Sequence, residues 1–235
     1  MEKVYVIGKN DEKVNSLKNR LRQYFVYSEK NPDLIIAYGG DGTLLIAERQ
    51  FPGVKKILLR DSYTCKNGHE DIDGVIKKYL CNDYKIKEIN KLKAVAHTSN
   101  GIRELIAMND IVIRNTLPTE AIRFILEINK GGDENEDGKE YIGDGVVIST
   151  PYGSGAYFHS ITKEKFDEGI GLAFNNLTEK ERHIILNNKD NINIKITRGP
   201  GVLVSDNNRD FVNLEHEDYV TIEQLEESAK VLVFE

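Results

Sequence analysis

In the first third of the chain, short unbroken apolar runs alternate with stretches of helical period. "KVYVIG" (3–8) predicts a strand. In "DEKVNSLKNRLRQYF" (11–25), Val14, Leu17, Leu21 and Phe25 recur at steps of three and four, one face of a helix. "DLIIAYGG" predicts a second strand, "TLLIAERQF" a helix, "KKILLR" (55–60) a third strand and "DIDGVIKKYLCN" (71–82) another short helix. Apolar strands that alternate with helices predict a parallel sheet covered on both faces.

From about Tyr84 the pattern changes to strand-like runs with little helix between them. They are "LIAMNDIVIRN" (105–115), "EAIRFILEIN" (120–129), "EYIGDGVVIST" (140–150), "NINIKITRG" (191–199), "GVLVSD" (201–206), "DYVTIEQL" (218–225) and "AKVLVFE" (229–235). Short strands separated by Gly, Asn and Asp turns predict an antiparallel sandwich. The expected fold is an α/β N-terminal domain with a parallel sheet, residues 1–88, followed by an all-β, sandwich-like C-terminal domain, residues 89–235. The boundary falls within Lys85 to Lys93. The acidic stretch "NKGGDENEDGKE" (129–140) is expected to be a solvated hairpin tip, because carboxylates in a loop repel one another and stay wet.

Composition narrows the partners. The chain has 235 residues, 40% hydrophobic and 30% charged, which suits one large folded domain or two small ones. A net charge of -6 offers no basic face for nucleic acid, so an anionic ligand must be drawn in by local amides or a metal. Cys65 and Cys81 are too few for a disulfide framework or a zinc site. No apolar run approaches the roughly 20 residues of a membrane helix, and "MEKVYVIGKN" opens as a strand without a signal-peptide core. The expectation is a cytoplasmic protein with no nucleic-acid or membrane partner.

Three stretches carry candidate chemistry. "YGGDGTLL" (38–45) ends a buried strand and opens a helix. Its glycines, Gly39, Gly40 and Gly42, let backbone approach a phosphate, and the helix N-terminus supplies amides and partial positive charge. Asp41 repels a phosphate, so its presence there calls for a chemical role. It could hold Mg²⁺, or it could accept a proton from a hydroxyl that attacks the phosphate. The loop lacks the "GK[ST]" of a Walker A motif and the "GxGxxG" of a dinucleotide fingerprint. The plainer reading is an Asp-Gly turn at a helix start. In "MNDIVIRN" (108–115), Asn109 and Asp110 stand before a β-branched run, where side chains can read a base or ribose, or form a simple strand-start turn. "GDGVVISTPYGSGAY" (143–157) places Asp144 before a buried strand and a Gly/Ser turn after it, with Tyr157 set to stack on a base or to join the core.

In this order the stretches resemble the NAD kinase family, which transfers the ATP γ-phosphate to the adenosine 2′-hydroxyl of NAD. The family's "GGDGT" loop stands here as Gly39 to Thr43, its "NE" pair as Asn109 and Asp110, and its "DG(L/V)xxSTPTGSTAY" segment as "DGVVISTPYGSGAY". The resemblance covers most of the chain and implies an α/β domain followed by a β-rich one. It implies that Asp41 is the catalytic carboxylate and that Gly39, Gly40, Gly42 and Thr43 meet phosphate. It further implies that Asn109 and Asp110 bind the adenosine and ribose of NAD, and that Asp144, Ser154, Gly155, Ala156 and Tyr157 line the nucleotide site. Ser160 falls on the adenine side, and Asp206, which matches an aspartate in a late β-strand, is placed with them among the substrate-binding residues. ATP would be the donor, with Mg²⁺ held through its phosphates, in a homodimer or homotetramer whose sites are built partly from a neighbour.

The chain also departs from the pattern. Gly155 replaces the usual Thr, Tyr152 replaces a small residue, "RDSYTCKNGH" (60–69) stands where "NxGxLGF" is usual, and "SITKEKFDEG" (160–169) stands in place of "GGP". The phosphate loop is intact and the changes fall on the NAD half. Two other readings therefore stay open: a kinase on the same scaffold with another nucleoside or a lipid as acceptor, and a non-catalytic protein that binds NAD or an adenine nucleotide.

Overall fold

The computed structural model describes residues 1–60, 68–69, 71–130, 135–179 and 182–234. The altered stretch after Arg60, including Cys65, and the middle of the acidic run fall largely outside the described residues. Two compact units divide the chain, one formed by Met1–Ile89 with Ser228–Glu235, the other by Asn90–Glu227.

In the first unit β1 (Lys3–Gly8), α1 (Asp11–Leu21), β2 (Val26–Tyr27), β3 (Leu34–Tyr38), α2 (Asp41–Gln50), β4 (Lys55–Leu59) and α3 (Ile72–Leu80) follow one another. The strands run parallel in the order β2-β1-β3-β4. Side-chain alternation assigns the faces. Val4, Val6, Ile36 and Leu59 share a core with Val14 and Leu17 of α1 and Val75 of α3. Ile35, Ala37 and Leu58 are buried outside that core, on the face that α2 covers with Leu44, Leu45 and Ala47. Asn10 caps α1 by accepting the Lys13 amide at 2.9 Å, and Asp71 caps α3 by accepting the Gly74 amide at 3.0 Å. Helix α1 is shorter than its apolar period predicts. It stops at Leu21, and Phe25 reaches the core through a turn whose amides, Tyr24 and Phe25, both bond to the Leu21 carbonyl.

The second unit takes most of β5 (Lys85–Thr98), then β6 (Gly101–Ala107), β7 (Asp110–Asn115), β8 (Ile122–Asn129), β9 (Asn135–Gly143), β10 (Gly145–Ser149), α4 (Tyr157–Thr162), β11 (Ile170–Asn175), β12 (His183–Leu186), β13 (Asn191–Arg198), β14 (Gly201–Ser205), β15 (Val212–Leu214) and β16 (Tyr219–Val233). One sheet has the order β9-β8-β13-β16, with β5 on β16 and β6 on β5; the other has β12-β11-β10-β7-β14-β15. The β9–β8–β13–β16 and β5–β6 pairings and those of the second sheet are antiparallel. Residues from both sheets, among them Phe124, Tyr141, Ile148 and Phe174, form one core. This is a sandwich, with α4 lying on Val112, Val147 and Ala173 of the second sheet.

Three strand boundaries differ from the apolar pattern. The run 105–115 is two strands, β6 and β7, parted at Met108 and Asn109. The run 140–150 is also two, because Gly145 has φ +139 and a Cβ there would collide with the Ile113 carbonyl. The runs 218–225 and 229–235 are joined in β16, whose Val231 and Leu232 pair in parallel with β4 in the first unit.

At the far end of α2 from its glycines, Lys56 is fully buried and paired with Glu48. Its ammonium also donates to the carbonyls of Phe51 at 2.8 Å and Val54 at 2.7 Å, and Glu48 accepts the Gly53 amide at 3.1 Å. Removing one member of such a pair strands a buried charge. Glu48→Gln or Lys56→Met alone is expected to cost about 3–5 kcal/mol. The double variant should recover only part of that, since the Phe51 and Val54 carbonyls lose their donor. Urea unfolding of the three variants checks this.

Candidate functional site

The phosphate-type loop leaves the carboxyl edge of β3, where Tyr38 pairs with Gly8 of β1 and Leu59 of β4. Ligands in open α/β sheets bind at this edge. Gly39 is tied to β4 by its amide, which donates to the Leu59 carbonyl at 2.8 Å. Gly40 is the N-cap of α2 and offers no side chain to the helix amides. Asp41 and Gly42 form the first turn, partly exposed. A carboxylate in that turn also favours the helix dipole, so Asp41 has a structural use as well as a chemical one. Thr43 is 2% exposed, and its Oγ1 is buried without a hydrogen-bond partner. A Cβ on Gly39 would collide with that hydroxyl, so any larger residue there would have to displace the Thr43 side chain.

The Asn109–Asp110 pair lies in the second unit, at one end of the second sheet. Asp110 opens β7 opposite Ser149, the last residue of β10, and Asp206 follows Ser205, the last residue of β14. The Asp206 carboxylate accepts three successive amides, those of Met108 at 2.9 Å, Asn109 at 2.7 Å and Asp110 at 3.2 Å. Thr150 secures the other side of the turn. Its hydroxyl donates to the Met108 carbonyl at 2.7 Å and accepts the Gly153 amide at 3.0 Å, while its own amide donates to the Asn109 carbonyl at 2.9 Å. Gly153 presses on the Asn109 backbone so closely that a Cβ would collide with it. The Asn109 main chain is thus held on both sides, and its side-chain Oδ1 is buried with no partner. Asp110 is 7% exposed, and burial, reinforced by the charge of Asp206, pushes its carboxyl up to about 7.

The remaining expected site residues divide between the two ends of the sheet. Ser154 is buried in a 3₁₀ turn, Gly153–Gly155, that follows "STP"; Gly155 and Ala156 are exposed. Tyr157 is half-buried against the Val112, Val147 and Ala173 cluster, and its hydroxyl accepts from Asn175 at 3.4 Å. Phe158, not Tyr157, is the deeply buried aromatic of α4. Ser160 is exposed and donates to the Tyr157 carbonyl at 2.7 Å. Asp144 stands at the opposite end of β10, taking the side-chain amides of Asn115 at 3.4 Å and Asn176 at 3.2 Å. Five steps along the strand separate it from Ser149, Asp110's partner, about 16 Å at a strand's rise, so one chain does not bring the two together. Thr150 and Gly153 carry no mark of function in the apolar pattern; their signal is the "STPxG" spacing, a hydroxyl three residues before a glycine.

The family model "ATP-NAD kinase C-terminal domain" matches residues 108–234. That match begins at the turn held by Asp206. The bifunctional NADP phosphatase/NAD kinase of Methanococcus maripaludis is 26% identical over 210 residues, which cover 84% of this chain and 36% of that protein. NAD kinase 1 of Oceanobacillus iheyensis is 27% identical over 168 residues, 65% of this chain and 60% of that protein. The chain therefore spans less than two thirds of the length of these relatives. Among solved structures, yeast NADH kinase complexed with NADH superposes with a TM-score of 0.87 at 16% identity, covering 100% of this chain and 84% of that one. An NAD kinase from Archaeoglobus fulgidus in complex with ATP gives 0.78 at 17% identity, covering 99% and 94%. These two share the fold.

The folded state favours the acid form of Asp110. The group's stabilising contribution is complete below its ordinary value, 3.8, and is lost as pH rises through about 7. Asp110→Asn removes the ionisation. The variant is expected to be more stable than the parent at about pH 8, by up to roughly 4 kcal/mol. The difference should narrow steadily from about pH 7 towards pH 5, as thermal melts across that range will read.

Proposed function

The chain belongs to the ATP-NAD kinase family, and from that membership we propose that it transfers the γ-phosphoryl group of ATP to the adenosine 2′-hydroxyl of NAD, giving NADP and ADP. The observation that carries the NAD half of this reading is the buried, partnerless Oδ1 of Asn109 beside the Asp110 carboxyl. A polar atom sealed away without a partner costs free energy unless a ligand completes it. An adenosine with its ribose hydroxyls supplies donors of the right kind, and Asp110 can accept a hydroxyl as carboxylate or donate as acid.

On the donor side, the Gly39 to Thr43 backbone and the helix N-terminus favour phosphate. Thr43 Oγ1, also buried without a partner, is a further contact for it. Asp41 accepts the proton of the 2′-hydroxyl as its oxygen bonds to the γ-phosphorus and the bond to the bridging oxygen of ADP breaks. Among the described residues no group of three or more His, Cys, Asp and Glu could hold a metal. In this reading Mg²⁺ would be held through the ATP phosphates and would offset their charge. Asp144, remote from Asp110 along β10, would serve a site in another copy of the chain, which fits a homodimer or homotetramer.

A second reading rests on one position. Gly155 is exposed, and the neighbours that a Cβ there would meet are Lys165 Cε at 3.5 Å and Nζ at 3.7 Å. The family's Thr hydroxyl is missing from this turn, as it would be in a protein that binds an adenine nucleotide without transferring phosphate.

Purified protein with NAD, MgATP and an NADP-specific coupled dehydrogenase decides between them. NADP formation is expected, and nucleotide binding without NADP supports the second reading. Asp41→Asn keeps the turn's shape and removes the charge. Its phosphoryl transfer should fall by about 10²–10⁴-fold, with nucleotide affinity held or improved and the thermal midpoint little changed. Near-normal NADP formation by this variant would rule out the catalytic role.

A further inference from the structure

Asp206 lies just past β14 with φ +48, a left-handed conformation that aspartate tolerates. Its own amide donates to the Asp110 carbonyl at 2.9 Å, which extends the β14–β7 pairing by one residue. Its side chain then turns back onto the amides of Met108, Asn109 and Asp110. Main chain and carboxylate together fix the residue against the turn. The resemblance alone places Asp206 among the residues that touch substrate, whereas these hydrogen bonds run to backbone.

We propose that Asp206 is a positioning residue that acts on nucleotide through the Met108–Asp110 turn, fixing where the Asn109 amide and the Asp110 carboxyl stand. The proposal rests on the reading of the second unit as the adenosine-binding half of an NAD kinase. Charge-assisted bonds from one carboxylate to successive amides are strong and directional. They explain why the apolar run 105–115 breaks at Met108 instead of continuing as one strand. They also put a fixed negative charge beside a second, buried carboxyl. Among the described residues, Ser149 of β10 lies opposite Asp110, the uncharged Met108 and Asn109 precede it, and Asp206 at the end of β14 accepts its amide. Arg114 stands at the other end of β7, where it pairs with Gly145. Burial, reinforced by the Asp206 charge, thus pushes the Asp110 carboxyl up to about 7. A residue that only held the fold together would not set both the place and the protonation of its neighbour.

Asp206→Asn separates these roles. Asparagine also tolerates the left-handed conformation and keeps one acceptor oxygen, but it brings an NH₂ to a site of amide donors and removes the charge. The KM for NAD is expected to rise about tenfold or more, with kcat changed less than about threefold, as for a loss of ground-state binding. The acid limb of kcat/KM should move to lower pH. In ligand-free protein, ¹³C NMR titration of the Asp110 carboxyl, assigned with Asp110→Asn, should give a midpoint near 7 in the parent and a lower one in Asp206→Asn. Thr150→Val loosens the same turn without altering charge; it should raise KM and leave the midpoint in place. An unchanged KM in Asp206→Asn, or a raised KM with an unmoved midpoint, overturns the proposal, the latter in favour of direct contact with substrate. Should Asp206→Asn fail to fold, a parent midpoint near the ordinary carboxylate value, or an unchanged KM in Thr150→Val, overturns it instead. If the parent forms no NADP, the kinase reading fails, and the titration with NAD affinity by calorimetry in place of KM still decides the role of Asp206.

Discussion

Backbone amides that leave a β-ladder inside a packed domain must be accepted by something, and the arrangement of the second unit's sheet end follows from how this is done. Asp206 accepts three of them in sequence. Because it does, the chain can stop pairing after β6, turn at Met108 and Asn109, and restart as β7 in the other sheet. Without that acceptor, the apolar residues on both sides would favour an unbroken strand. The turn is then packed from the far side by Thr150 and Gly153, so that "STPYG" and "MND", over thirty residues apart in sequence, form one rigid piece. The cost is a second carboxylate, Asp110, buried beside the first. Protonation lowers that cost near neutral pH, so the electrostatics of Asp110 are a consequence of the backbone solution at Asp206.

The first unit solves the corresponding problem at a helix start. A loop that presents amides to an anion cannot also cap its helix with a side chain, and Gly40 does not. The stability that a Ser or Asp cap would give α2 is absent, so the helix must be fixed by other means. It is held along its length by Leu44, Leu45 and Ala47 against the sheet, and at its far end by the buried Glu48–Lys56 pair. A buried pair is poor at raising stability but good at specifying one arrangement. The contrast with α1 and α3, which use Asn10 and Asp71 as caps, shows which helix start has been left open.

The elements whose apolar period is unambiguous are legible in the sequence: β1, β3, β4, the body of α1, and the alternating strands β8 and β13. What is not legible arises from side chains acting at a distance. The break inside 105–115 depends on Asp206, almost a hundred residues later, and no local propensity marks it. The break at Asp144 depends on Gly145 meeting the Ile113 carbonyl, again a contact across strands. Strand β2 has only Val26 and Tyr27 and leaves no periodic trace. For the candidate site, the glycine loop is visible because backbone approach demands glycine. Thr150 is hidden because a hydroxyl that works on main-chain groups looks like any strand-end threonine. Tyr157 is ambiguous in sequence between base stacking and core, and it stands half-buried, with its ring on the α4 cluster and its hydroxyl on Asn175.

If it acts on polyanions as proposed, a chain of net charge -6 must overcome its own field at short range. In the proposed function the open N-terminus of α2 would supply this attraction, whereas the 3₁₀ turn after "STP" spends the amides of Gly153, Ser154 and Ala156 on Thr150, Pro151 and Gly153. Gly155 is a separate case. Where the family carries a hydroxyl, this chain has no side chain, and the ammonium of Lys165 lies 3.7 Å from where a Cβ would stand. A hydroxyl is a neutral donor with a fixed direction; an exposed ammonium is a mobile point charge. The exchange falls on the turn that carries Tyr152, the other substitution in the motif. The two departures thus form one local change, on the same turn that Gly153 presses against the fixed Asn109 backbone, so the motif has altered beside its anchor and not at it.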